Sequence, residues 1–158
     1  MGGRADPRFG APPPEKAVTV LTVSDCERDL DCLSEIFRHS RWRMLSAGSC
    51  GEAFRVLQSH RIPVVVCEHS LPDGNWRSVL NRLAQSAEQP LLIVASRQAD
   101  DRLWAEVLNL GGYDVLSKPF DRSEAVRVIA AAWLHWRQRR AAHAMRGEPA
   151  ERVFRATA

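Results

Sequence analysis

Five short apolar runs, each followed by a stretch whose apolar residues recur at helical spacing, restrict this 158-residue chain to very few folds. The runs are AVTVLTV (17–23), RWRMLSA (41–47), VVVCE (64–68), PLLIVAS (90–96) and YDVLS (113–117). AVTVLTV is rich in β-branched residues, and PLLIVAS is almost continuously apolar, as expected of a parallel strand covered on both faces. The segments between them predict helices. Leu30, Leu33 and Phe37 mark the first, Ala53, Val56 and Leu57 the second, and Val79, Leu80 and Leu83 the third. Leu103, Val107, Leu108 and Leu110 give the inward face of the fourth, and Val126, Ile129, Ala130, Trp133 and Leu134 that of the last. Asp100 or Asp101 can cap the fourth helix, Gly111 and Gly112 stop it, and Asp121 with Glu124 three residues on starts the fifth. Five βα units in series imply an α/β fold built on a doubly wound, five-stranded parallel sheet, with right-handed crossovers placing helices on both faces. The functional crevice of such a sheet lies beyond the carboxyl ends of its strands. Asp25, Glu68, Ser96 and Lys118 all fall there.

Composition narrows the function classes. Residues 1–16 are rich in Gly, Pro and charge without apolar periodicity, and read as a disordered leader. The compact domain is predicted over 17–136, with a basic helix extension and tail over 137–158. A formal net charge of +3 is too mild to announce a nucleic-acid binder. Cys26, Cys32, Cys50 and Cys67 form no C-x-x-C pair, so reduced thiols are expected rather than a zinc site. No stretch approaches the roughly 20 apolar residues of a membrane span, and a cytoplasmic protein is expected.

Three segments carry a family resemblance: TVSDC (22–26), VVVCEHSLPDG (64–74) and LSKPF (116–120). Together they resemble the receiver domain of two-component response regulators. Asp25 lies 43 residues before Glu68, the interval between a metal-binding aspartate and the phosphoacceptor in that family. Pro72 follows Glu68 by four positions, and Ser96 precedes Lys118 by 22, with Gly111 in register between them. The resemblance covers about residues 17–134 and implies a flavodoxin-like (βα)5 fold. It also implies a magnesium site at Asp25, Glu68 and Ser70, a hydroxyl switch at Ser96, and a phosphate-contacting lysine at Lys118. Magnesium would offset the charge of an attacking carboxylate and an incoming phosphoryl group.

Four positions depart from the pattern. Ser24 occupies the first place of the acidic pair and thins the metal site, so magnesium binding is expected to be weakened. Glu68 replaces the acceptor aspartate and carries its carboxylate one methylene farther, about 1.5 Å. A misplacement of about 1 Å can cost on the order of 100-fold in an in-line reaction. Val115 stands where the aromatic switch residue is expected, leaving no ring to rotate. Trp76 replaces a small glycine and is expected to reshape the pocket rim. A glutamate at the acceptor position places a single negative charge where a phosphate would bring about −1.5 to −2. Glu68 is thereby expected to act as a partial phospho-mimic that draws in Lys118 and the Ser96 hydroxyl. A purely structural Glu68–Lys118 ion pair is the alternative.

The expected function is that of a stand-alone, non-enzymatic, atypical receiver in signal transduction, working without phosphorylation. It would dock a histidine kinase or downstream effector on its fourth and fifth βα units, with room for a homodimer. Two alternatives stand beside this reading. One is a phosphorylatable, magnesium-dependent receiver. The other is a nucleic-acid or anionic-surface module using Arg137, Arg139 and Arg140, which gather with Trp136 beyond the compact domain, although nucleic acid is not the expected partner. A solvated basic helix end, favoured by the helix dipole, is the blander account of those arginines.

Overall fold

The computed structural model describes residues 18–146. Its main sheet contains β1 (Thr19–Val23), β2 (Arg43–Ala47), β3 (Val64–Glu68), β6 (Leu91–Ser96) and β7 (Asp114–Ser117). All pairings are parallel, in the order β2-β1-β3-β6-β7. A small antiparallel pair, β4 (Ser70–Leu71) with β5 (Gly74–Asn75), closes the turn after β3. The helices are α1 (Glu27–Ser40), α2 (Cys50–Ser59), α3 (Trp76–Ala84), α4 (Asp101–Leu110) and α5 (Arg122–Arg146). The five expected βα units are all present, and the fourth and fifth are β6–α4 and β7–α5.

Side-chain alternation along the strands divides the core into two layers. On β3, Val65 and Cys67 pack with residues of α2, α3 and α4, including Ala53, Val79 and Val107. Val64 and Val66 pack on the opposite side with α1 and α5, among Leu33, Phe37, Val128 and Ile129. Glu68 continues the second set. This parity places it on the α1–α5 face, while the preceding Cys67 faces the other layer.

Local chemistry fixes the helix ends. The Asp100 carboxylate accepts from the Leu103 N–H at 2.9 Å, and Asp121 accepts from the Glu124 N–H at 2.9 Å, both as expected. Gly111 ends α4 in the left-handed region at φ 108°, a conformation that carries no Cβ penalty only in glycine. Asp73 accepts from the Cys50 and Gly51 N–H groups at 2.8 and 3.0 Å. These bonds tie the β4–β5 turn to the start of α2 and hold the Asp73 carboxyl below its usual range.

Several inward faces differ from expectation. Leu108 and Leu110 are exposed, and α4 buries Leu103 and Val107 instead. On α5 the buried face is Ala125, Val128, Ile129, Ala132 and Trp136. Of the expected set only Ile129 is fully inside; Leu134 is exposed. Apolar residues surround α5, so the sequence offers several competing stripes and only packing selects one. Trp76, expected at the pocket rim, is completely buried in the α2–α4 layer.

Trp136, grouped in sequence with the basic residues that follow it, is buried. Its Nε1 donates to the Glu88 carbonyl at 2.9 Å in the α3–β6 connection. Arg140 pairs with the Glu88 carboxylate at 2.6 Å, Arg61 joins it at 3.1 Å, and Arg139 donates to the Gln89 carbonyl at 2.6 Å. The helix thus passes 136 without a break and stays clasped to the body through Arg140. The expected leader (1–16) and the tail from 147 onward lie outside the described residues.

Candidate functional site: a carboxylate–lysine pocket at the end of the central strand

The site forms where the α1–α5 face meets the carboxyl edge of the sheet. Glu68 is the last residue of β3, and Lys118 lies one residue past β7. Leu116 belongs to the same layer as Val66, so strand parity brings Lys118 toward Glu68. Lys118 Nζ donates to both Glu68 oxygens, at 2.5 and 2.7 Å. It also donates to Asp29 Oδ2 at 2.7 Å. One ammonium therefore serves two carboxylates. The side chains are 5% exposed for Lys118, 12% for Asp29 and 20% for Glu68, so Glu68 is the wettest of the three.

Burial alone would depress the Lys118 pKa. The hydrogen bonds to Asp29 and then Glu68, with their charges, outweigh it and hold the ammonium above the ordinary lysine value.

Asp29 was not anticipated. It lies in the first turn of α1, where an acidic residue ordinarily reads as a solvated partner of the helix dipole. The available signal was its spacing: Asp29, Leu33, Ile36 and Phe37 form the buried face of α1, with a carboxylate on an apolar stripe.

A narrow cleft of about 180 Å3, open mouth included, is lined by Thr22, Ser24, Asp29, Glu68, Ala95 and Phe120 among others. Thr22 Oγ1 is buried there with no hydrogen-bond partner among the described residues.

The remaining expected site residues fall as follows. Ser24 lines the cleft and accepts from the Cys26 N–H at 3.1 Å. Asp25 is exposed and does not line the cleft, and Ser70 is exposed with its hydroxyl beside His69 Nδ1 at 3.0 Å. Val115 is buried in the α2–α4 layer. Ser96, expected to be drawn toward Glu68, instead accepts from the Gln98 N–H at 3.0 Å. Such a local turn satisfies the hydroxyl within its own segment. The pleat puts Ala95, the register partner of Glu68, on the cleft side. Cys67 faces the opposite layer, where burial, then Cys50 and Glu68, pushes its thiol pKa up. Arg137 stacks over Trp133 at 5.0 Å, while Arg139 and Arg140 carry the contacts to Gln89 and Glu88.

The donor set does not suit the magnesium ion that the resemblance implies. Such an ion prefers several oxygen ligands in an octahedron. Both Glu68 oxygens are engaged by Lys118, and among the described residues no group of three or more His, Cys, Asp or Glu is placed to hold a metal.

An open five-stranded parallel sheet, layered by helices and ending in an acidic residue against a lysine, defines the flavodoxin-like receiver class. The description "Response regulator receiver domain" matches residues 20–130. The chain belongs to that family, the receiver component of two-component signalling. It is similar to "Probable transcriptional regulatory protein TcrX" of Mycobacterium tuberculosis, 32% identical over 116 residues, covering 72% of this chain and 49% of that one. It is also similar to "Two-component response regulator ORR3" of Oryza sativa subsp. japonica, 28% identical over 119 residues, covering 73% of this chain and 90% of that one. The chain thus spans about half the length of TcrX. Among solved structures, the signal receiver domain of an HD domain-containing protein from Pseudomonas fluorescens Pf-5 superposes with a TM-score of 0.73 at 23% identity, covering 84% of this chain and 98% of that one. The chemotaxis response regulator CheY4 of Vibrio cholerae gives 0.68 at 15% identity, covering 73% and 98%. These two likenesses concern the fold.

Proposed function

We propose that this receiver signals without accepting a phosphoryl group, with Glu68 acting as a built-in partial substitute for the phosphorylated state. The observation that carries the reading is the double engagement of Glu68 by Lys118 at 2.5 and 2.7 Å. The lysine that the family directs at phosphoryl oxygens is already drawn onto a carboxylate at the acceptor position. Charge-assisted contacts of this length are among the stronger hydrogen bonds in proteins. Val115 supports the same reading, because an aliphatic side chain at the switch position has no ring to rotate on a change of state. The output surface on this reading is the β6–α4 and β7–α5 face, where Trp104, Leu108 and Leu110 are exposed. Its partner is a signalling protein, a histidine kinase or a downstream effector.

The test is intact mass after incubation with acetyl phosphate and magnesium. No phosphoryl adduct is expected on the wild type. A stable adduct at Glu68 would overturn the proposal in favour of the phosphorylatable alternative.

A further inference from the structure

We propose that Asp29 is a positioning residue that holds the Lys118 ammonium in an ion pair and thereby closes the pocket to anionic phosphoryl donors. The inference rests on the reading of Glu68 above and adds a second determinant from another element. Among the described residues, the charged groups lining the cleft or bonded into it are Asp29 from α1, Glu68 from β3 and Lys118 after β7. Thr22 from β1, Ser24 just after it, Ala95 from β6 and Phe120 after β7 are neutral. Two carboxylates against one ammonium leave a surplus negative charge in a mostly buried place, where like charges repel far more than in water. Asp29 Oδ2 lies 2.7 Å from Nζ, so Lys118 would remain held by α1 even with Glu68 neutralised. The N–H groups at the start of α1 favour a carboxylate in this turn. Unlike Ser24 or Glu68, Asp29 restricts the pocket through Lys118 and leaves the acceptor position itself unchanged.

The prediction is that aspartates at positions 24 and 68 give only slow transfer while Asp29 remains. In the Ser24→Asp/Glu68→Asp variant, transfer from acetyl phosphate requires the carboxylate oxygen at position 68 to bond phosphorus. The P–O bond to acetate breaks, and acetate departs with the electron pair. Adding Asp29→Asn, which keeps the side chain's size and its acceptor oxygen, is expected to speed adduct formation by about tenfold or more. Cooperative thermal unfolding of both variants establishes that they fold. Equal rates, or no adduct in either, would overturn the role of Asp29. An adduct on the wild type would instead overturn the proposed function, so the two failures are distinguishable. An independent readout uses the chain's two lysines, Lys16 and Lys118. The ammonium resonance of Lys118, followed by lysine-selective 15N NMR, is expected to persist in Glu68→Gln and to vanish in Glu68→Gln/Asp29→Asn. Loss in the single variant, or persistence in both, contradicts an Asp29 anchor.

Discussion

Replacing Lys118 with methionine probes the pocket most directly, because it removes the cation and keeps an unbranched side chain of similar reach. In the wild type one ammonium, 5% exposed, satisfies Asp29 and both oxygens of Glu68. Breaking a buried ion pair from one side typically costs about 3–5 kcal/mol, since the remaining charge stays uncompensated. Two carboxylates are stranded here, which pushes the cost up, but the Glu68 side chain is 20% exposed and water can recover part of its solvation. A loss of about 2–4 kcal/mol is therefore expected for Lys118→Met. Urea unfolding followed by tryptophan fluorescence measures it, with an unchanged m-value indicating that the unfolded state is not the source. Adding Glu68→Gln to the methionine variant is expected to restore about 1 kcal/mol or more, because one stranded charge is removed. A cost below about 1 kcal/mol for Lys118→Met, with no recovery in the double variant, would refute the electrostatic account and leave Lys118 as a packing residue.

The same ion pair sets an alkaline limit. The folded pKa of Lys118 is raised, so its contribution is complete below the unfolded value of about 10.4 and is lost as pH rises through the folded one. Urea midpoints between neutral pH and about pH 11 are expected to show an alkaline decline that shrinks in Lys118→Met. Trp136→Phe removes the donor to the Glu88 carbonyl and is expected to cost about 1–2 kcal/mol in urea unfolding. Arg140→Ala, at the half-exposed Glu88 pair, is expected to cost under about 1 kcal/mol in the same assay. Thr22→Val replaces a buried hydroxyl that has no partner among the described residues by a methyl group of the same shape, and is expected to raise stability by up to about 1 kcal/mol by thermal unfolding.

The fold was legible because its signals are local and periodic. VVVCE reads as a strand and is one, residue for residue, and Asp100 and Asp121 cap the helices that their sequences announce. The Glu68–Lys118 pairing followed from family spacing. The features that escaped depend on contacts distant in sequence. Asp29 meets a lysine 89 residues away, and Trp136 meets a carbonyl 48 residues away. No window of sequence contains either pair. Leu108, Leu110 and Leu134 failed for a different reason: periodicity shows that a helix has an apolar stripe, not which of two overlapping stripes the sheet accepts. At Ser96 the pleat decides, because a one-residue difference sets whether a hydroxyl or a methyl group lines the cleft.

The clamp of Lys118 between Asp29 and Glu68 bears on how such a protein could be controlled. A phosphorylated receiver is a register that a kinase writes and hydrolysis erases, so its information lies in the occupied fraction. On the proposal above, the charge is written once, by translation, and every folded copy carries the same value. The graded quantity is then the number of folded copies, set by synthesis, degradation and the competition of partners for one surface. Even about 1–2 kcal/mol of lost stability can change cellular abundance several-fold. A substitution deep in the α1–α5 layer could therefore alter the signal as strongly as one in the pocket.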